Sequence, residues 1–182
     1  MRAIYWGKAD AIFRHFDEQE LRLCLRLNRA SSRPTLKHGF AAVSRLGDGV
    51  LWYVLMGLLP LLYGLQDWQV SVHMALVGMA GVVVYKFLKS RMVRQRPFVT
   101  HPNISLGTAP LDQYSFPSGH TLHAVSFTMV ATAYHPELAW LLAPFTLLVM
   151  ASRVVLGLHY PTDVLAGAVV GAALASVSFT LL

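Results

Sequence analysis

Hydrophobic positions along this chain gather into five runs with short polar breaks between them. Residues 50–65 (VLWYVLMGLLPLLYGL) and 69–88 (QVSVHMALVGMAGVVVYKFL) are parted only by QDW. After a polar stretch from 89 to 118, further apolar runs occupy about 119–134, 138–157 and 161–182, divided by HPE and by HYP. Each run crosses, or nearly crosses, a hydrocarbon layer of about 30 Å as a helix. A lipid environment demands that each backbone polar group be satisfied within the segment. The pattern therefore predicts an all-α fold, a multi-pass transmembrane helix bundle of five or six spans. Upstream, EQELRLCLRLNRA alternates Leu with Arg and Glu and is too charged to span, which predicts an amphipathic helix over residues 16–30 lying in the interface. RLGDG, at 45–49, reads as the turn into the first span. The expected organisation is an N-terminal interfacial segment, 1–48, followed by a transmembrane domain, 49–182.

Composition agrees with the pattern. Of 182 residues, 55% are hydrophobic and 13% charged, and the mean hydropathy is +0.49, too apolar for an ordinary soluble domain of this length. The first 20 residues carry scattered charges and no continuous apolar core, so they do not read as a cleavable signal peptide. The single cysteine, Cys24, excludes an internal disulfide and a thiolate metal cluster and reads as interface packing. Gly167, Gly171 and Ala175 recur every four residues in the last run, which suits close helix packing. His73 reads as a hydrogen-bonded packing residue, and Pro60 and Pro144 as bends within spans.

Polar residues concentrate at the ends of the runs. Lys89, Arg91, Arg94 and Arg96 crowd the end of the second; Ser118, Gly119 and His120 open the third; Ser152, Arg153, His159 and Asp163 straddle the join of the fourth and fifth. Spans that alternate direction bring all three groups to one membrane face. Lys89, Arg96 and Arg153 supply fixed positive charge, and the planar fork of arginine suits paired phosphate oxygens. Ser118 and Gly119 stand where a helix begins, so their N–H groups and the helix dipole can receive an anion. His120 can deliver a proton to a leaving oxygen. Asp163, four residues after His159 in the first turn of a Pro161-initiated helix, can hold one imidazole nitrogen and leave the other to attack phosphorus. Taken singly, KSRMVRQRP could be a membrane-surface anchor and PSGH a mere helix start. Together they point to catalysis on a phosphate.

These residues resemble the three-part signature of the type 2 phosphatidic acid phosphatase (PAP2) family. KSRMVRQRP (89–97) fits K-x6-R-P, PSGH (117–120) fits the second part, and SRVVLGLHYPTD (152–163) fits S-R-x5-H-x3-D. The resemblance implies an integral-membrane lipid phosphate phosphatase working through a phosphohistidine, with no metal and no cofactor. In it His159 is the nucleophile, Asp163 its orienting acid, His120 the general acid, and Lys89, Arg96, Ser118, Gly119 and Arg153 the phosphate ligands. Substrates within the family include phosphatidic acid, phosphatidylglycerophosphate, undecaprenyl diphosphate and lipid A phosphates. Members devoted to undecaprenyl diphosphate often carry aspartate where this chain has Gly119, which tilts the expectation toward a broader lipid phosphatase. The expected partners are the lipid bilayer and a lipid phosphate, not nucleic acid. Two other classes are a non-catalytic membrane scaffold and a transporter of a phosphorylated lipid, which would need ionisable groups deep in several spans. For orientation, the positive-inside rule favours a cytoplasmic site, whereas resemblance to bacterial members implies the periplasmic face of the inner membrane, which is the expectation adopted.

Overall fold

A computed structural model describes residues 19–181, which are helical apart from short connections and one long polar loop. The helices are α1 (19–28), α2 (Pro34–Arg45), α3 (Leu51–Leu62), α4 (Trp68–Arg91), α5 (Pro97–Thr100), α6 (Gly119–Tyr134), α7 (Ala139–Val155) and α8 (Pro161–Leu181). Among the described residues four helical stretches are long and apolar enough to cross a membrane: Pro34–Leu62, Leu65–Arg91, Pro136–Val155 and Pro161–Leu181. The fifth expected span, α6, has 16 residues, about 24 Å at 1.5 Å per residue. It is the central helix, packed against α4, α7 and α8, so the crossing expected over 119–134 is the core of the bundle.

The expected turn at 45–49 is instead a break inside a longer helical path. Asp48 (φ −83°, ψ 21°) and Gly49 (φ 124°, ψ −39°) leave helical geometry, and α3 resumes at once beyond Val50. Glycine tolerates the positive φ, and the backbone keeps a widened helical turn where sequence punctuation suggested a loop. The first span accordingly reaches back through α2 to Pro34.

Small residues set the central contact. A Cβ on Gly167 would lie 2.5 Å from the Ser118 carbonyl oxygen, and one on Gly171 would strike the backbone of Leu122; α8 can lie on α6 only because both are glycine. Trp52, Met74, Phe127, Val130, Leu142 and Val149 fill the space between α3, α4, α6 and α7. Pro60 has no N–H to give the Met56 carbonyl four residues earlier, and the Ser71 hydroxyl from α4 donates to that oxygen at 2.6 Å. His73 pairs with Tyr134 Oη (3.0 Å) and Ser178 Oγ (2.7 Å), the packing role expected of it.

At the end remote from the long loop, Tyr63 stacks on His135, which lies 2.6 Å from Asp67. Trp68 and Trp140 are exposed there, as aromatic residues at a membrane interface are. At the loop end α1 is docked: Cys24 is buried with Ile104, Val154, Tyr160 and Val164, and Asn28 donates to the Ser105 and Val155 carbonyls, both at 2.9 Å. Of the interfacial helix expected over 16–30, residues 16–18 lie outside the described residues, and 29–32 form a tighter turn.

Candidate active site

The long loop between α4 and α6 closes the end of the bundle. Residues 92–96 leave the helix, and Arg96 is extended (φ −79°, ψ 151°) before Pro97, as a residue preceding proline must be. That conformation turns its guanidinium inward, where it is 2% exposed. Arg96 donates to the Leu158 carbonyl (2.7 Å), the Asp112 carbonyl (3.1 Å) and the Asp112 carboxylate (2.8 Å), and lies 3.3 Å from His159 Nε2. Lys89, in the last turn of α4, donates to the other Asp112 oxygen at 2.5 Å and to the Tyr114 carbonyl at 3.1 Å. Arg153, in the last turn of α7, is 2% exposed and reaches Ser44 of α2. Its Nε has no hydrogen-bond partner among the described residues.

Lys89, Arg96, Gly119, His120, Arg153 and His159 all line one cavity of about 500 Å³, so six of the eight residues expected at the site share its wall. Ser118 and Asp163 sit behind it, each wholly buried. Ser118 caps α6, its side chain accepting from Thr121 N at 3.5 Å, and its N–H donates to the Asp163 carbonyl at 3.0 Å. The expected offer of that N–H to phosphate is not what the geometry shows: it ties the start of α6 to the start of α8.

Asp163 is held by Arg94 (2.5 Å), by the Tyr160 N–H (2.8 Å) and by the Ser115 hydroxyl. Its Oδ2 is 3.6 Å from His159 Nδ1, too long for a hydrogen bond, and Nδ1 is otherwise unpartnered among the described residues. The carboxylate and the ring are thus neighbours with no hydrogen bond between them. His159 Nε2 faces Arg96 and the cavity. Burial pushes the His159 imidazole well below its ordinary 6.5, and the positive charges of Arg153, Arg96 and Lys89 push it further. Both effects favour the neutral ring. Asp112 moves down from the ordinary carboxylate value: burial opposes ionisation, but Lys89 and Arg96 outweigh it.

Five residues of this assembly were not anticipated. Asp112 occupies two of the three cations of the expected phosphate site, Lys89 and Arg96. Arg94, expected only among the basic residues near the membrane surface, is buried and bonds Asp163, Thr162 (2.7 Å) and Glu20 (2.9 Å) while covering the Tyr160 ring at 4.0 Å. Glu20 also accepts from the Thr162 N–H at 2.6 Å. Ser115 completes the cage of Asp163, and Asp48 stands 3.3 Å from His120 Nε2. Among the described residues no group of three or more His, Cys, Asp or Glu could hold a metal ion.

The fold and site define a polytopic helical membrane protein with a cavity lined by cationic and histidine side chains at one end of its bundle. The PAP2 superfamily model matches residues 68–182, and the chain belongs to that superfamily. It is 33% identical over 122 residues to the undecaprenyl-diphosphatase BcrC of Bacillus subtilis, an alignment covering 66% of this chain and 63% of that protein. It is 34% identical over 143 residues to the decaprenylphosphoryl-5-phosphoribose phosphatase of Mycolicibacterium smegmatis, covering 75% and 74%. The crystal structure of Aquifex aeolicus LpxE matches with a TM-score of 0.78 at 26% identity, over 89% of this chain and 95% of that one. The matched part of this chain spans a little under two thirds of the length of BcrC. Glu20 and Asp48 lie before the residues that the family model matches.

Proposed function

We propose that this protein hydrolyses a phosphate carried by a membrane lipid, and that it does so through a phosphohistidine. The observation that carries the reading is the continuity of the cavity. Its upper wall holds Lys89, Arg96, His120, Arg153 and His159, and its lower wall is Trp52, Met56, Ala75, Met79, Val82 and Phe127. Of its lining residues, Tyr53, Met79 and Val82 are 72%, 59% and 36% exposed on the outer surface of α3 and α4. A lipid can therefore lie sideways with its tail in the bilayer and its phosphate among the cations.

In the first step the neutral His159 Nε2 attacks phosphorus in line, the bond to the lipid oxygen breaks, and His120 gives that oxygen a proton. In the second, water attacks the phosphohistidine, His120 takes a proton from it, and inorganic phosphate leaves with His159 restored. Lys89, Arg96 and Arg153 face the equatorial oxygens, whose charge they stabilise in both transition states.

Similarity to two proteins named for polyprenyl-linked phosphates supports testing a polyprenyl phosphate or diphosphate first, ahead of phosphatidic acid and phosphatidylglycerophosphate. Purified protein assayed on all three lipid classes with EDTA present tests the reading. Phosphate release that survives the chelator and is blocked by vanadate, a mimic of five-coordinate phosphorus, is expected. No release from any of them would leave a scaffold or a lipid transporter, and strict dependence on magnesium would remove the mechanism.

Asp112 stands where the phosphate must bind, so substrate has to displace a carboxylate that already bridges Lys89 and Arg96. Asp112→Asn removes that competing charge. The inhibition constant for vanadate is expected to fall several-fold in the variant; a rise would make Asp112 a necessary support of the two cations.

The proposed setting is the bacterial inner membrane, with α1 and the site on the periplasmic face and the carboxyl terminus in the cytoplasm. A fluorescent protein that matures only in the cytoplasm, fused after Leu182, is expected to glow. Alkaline phosphatase activity from the same fusion point would reverse the orientation.

A further inference from the structure

The break between α2 and α3 delivers a carboxylate to the cavity. Gly47, Asp48 and Gly49 all line it, and Trp52, Tyr53 and Met56 continue the same wall along α3 into the apolar arm. Asp48 therefore stands at the junction of the cationic pocket and the lipid channel. The scissile oxygen belongs there too, because it joins the phosphate to the lipid. His120 reaches the same junction from α6, with Nε2 3.3 Å from Asp48 Oδ1; the histidine side chain is 10% exposed and the aspartate 42%. The other charged or imidazole groups lining the cavity are Lys89, Arg96, Arg153, Asp112, His123 and His159. The other anion, Asp112, is engaged by Lys89 and Arg96, and three of the groups are fixed cations that disfavour an imidazolium.

We infer that Asp48 is a positioning residue for the general acid: it holds His120 by Nε2 and supplies the counter-charge that lets the ring carry a second proton to the lipid oxygen from Nδ1. The backbone supports the assignment. The chain leaves helical geometry at Asp48 and Gly49, and Gly49 takes a φ of 124° that places its hypothetical Cβ 2.7 Å from the Tyr53 ring. Only glycine allows that break, and the break is what puts Asp48 in the cavity wall. The site then contains two His–Asp pairs with opposite duties. Asp163 lies behind a histidine kept neutral for attack, and Asp48 lies beside a histidine that has to be charged for protonation.

This inference rests on the general-acid reading of His120, and the experiment separates the two. Wild type, His120→Ala, Asp48→Asn and the double variant are assayed on a short alkyl phosphate, whose leaving oxygen needs a proton, and on a nitrophenyl phosphate, whose leaving oxygen does not. General-acid help is worth roughly 10²–10⁴-fold. His120→Ala is expected to lose about 100-fold or more on the alkyl ester and much less on the aryl ester. Asp48→Asn is expected to lose on the order of ten-fold more on the alkyl than on the aryl ester, with the double variant no slower than His120→Ala alone. Asp48→Glu, which keeps the charge, should recover part of the alkyl rate. If His120→Ala shows the leaving-group dependence and Asp48→Asn loses equally on both esters, loses nothing or fails to fold, Asp48 has no part in proton delivery and the inference falls alone. Equal losses on both esters for His120→Ala would overturn the acid role of His120, and the role of Asp48 with it.

Discussion

Replacing His159 with alanine is expected to lower turnover of a lipid phosphate by roughly four to six orders of magnitude, the range seen when a covalent nucleophile is removed. The protein should remain folded. His159 Nδ1 holds no hydrogen bond among the described residues, and Arg96 keeps the Leu158 carbonyl and Asp112 when the ring is gone. The variant leaves a ring-sized space beside Arg96, open to the cavity, and added imidazole is expected to restore part of the rate in a concentration-dependent way. Rates are compared on protein shown to be monodisperse in detergent. A variant that keeps more than about a hundredth of wild-type activity would remove His159 as the nucleophile, since so small a loss is far below that range.

The second large effect is on stability. Arg94 is 1% exposed and stands between two carboxylates, Asp163 at 0% and Glu20 at 11% exposure. Truncating it to alanine strands a buried carboxylate with no partner of opposite charge, a change that costs about 3–5 kcal/mol, against a total stability of about 5–15 kcal/mol for a typical domain. Arg94→Ala is expected to express poorly and to unfold at a markedly lower temperature in detergent. Arg94→Lys keeps the charge but loses the fork that serves Asp163, Thr162 and Glu20 together, and should fall in between. Removing the stranded charge as well, by Asp163→Asn in the Arg94→Met background, should recover stability without recovering full activity. A double variant no more stable than Arg94→Met would mean that Arg94 contributes packing over Tyr160 rather than charge.

The residues that were legible in advance are those whose chemistry is costly where they stand. Lys89, Arg96, His120, Arg153 and His159 lie at the ends of apolar runs, where a membrane chain keeps polar groups only for a reason, and alternation of the spans was enough to gather them. Arg94 was not separable from Arg91 in the sequence: both belong to KSRMVRQRP, yet Arg91 is exposed and Arg94 is buried. The difference comes from Glu20, 74 residues upstream, and no local pattern encodes so distant a partner. Glu20 itself was hidden by the alternation of charge and leucine in EQELRLCLRLNRA, which looks the same whether the helix faces lipid headgroups or a buried arginine.

Asp112 and Asp48 were obscured by their settings, one in a polar loop and one between two glycines that read as a turn. A signal for Asp48 was present nonetheless. Alternating spans place residues 45–49 on the same face as His120 and His159, and a carboxylate at that end of the first span belongs with the other polar span ends. Ser118 shows the reverse error. A serine before a helix can bind an anion or cap the helix, and only the packing of α6 on α8 decides that its N–H serves the Asp163 carbonyl.

The claim on which the mechanism depends is that phosphate passes through the protein. The stereochemical course at phosphorus tests it most directly, with a thiophosphate ester made chiral by oxygen isotopes and hydrolysed in isotopically labelled water. Attack by His159 followed by attack by water is two in-line displacements, and the account predicts net retention of configuration. Net inversion would mean that water attacks the lipid phosphate directly, and would contradict it.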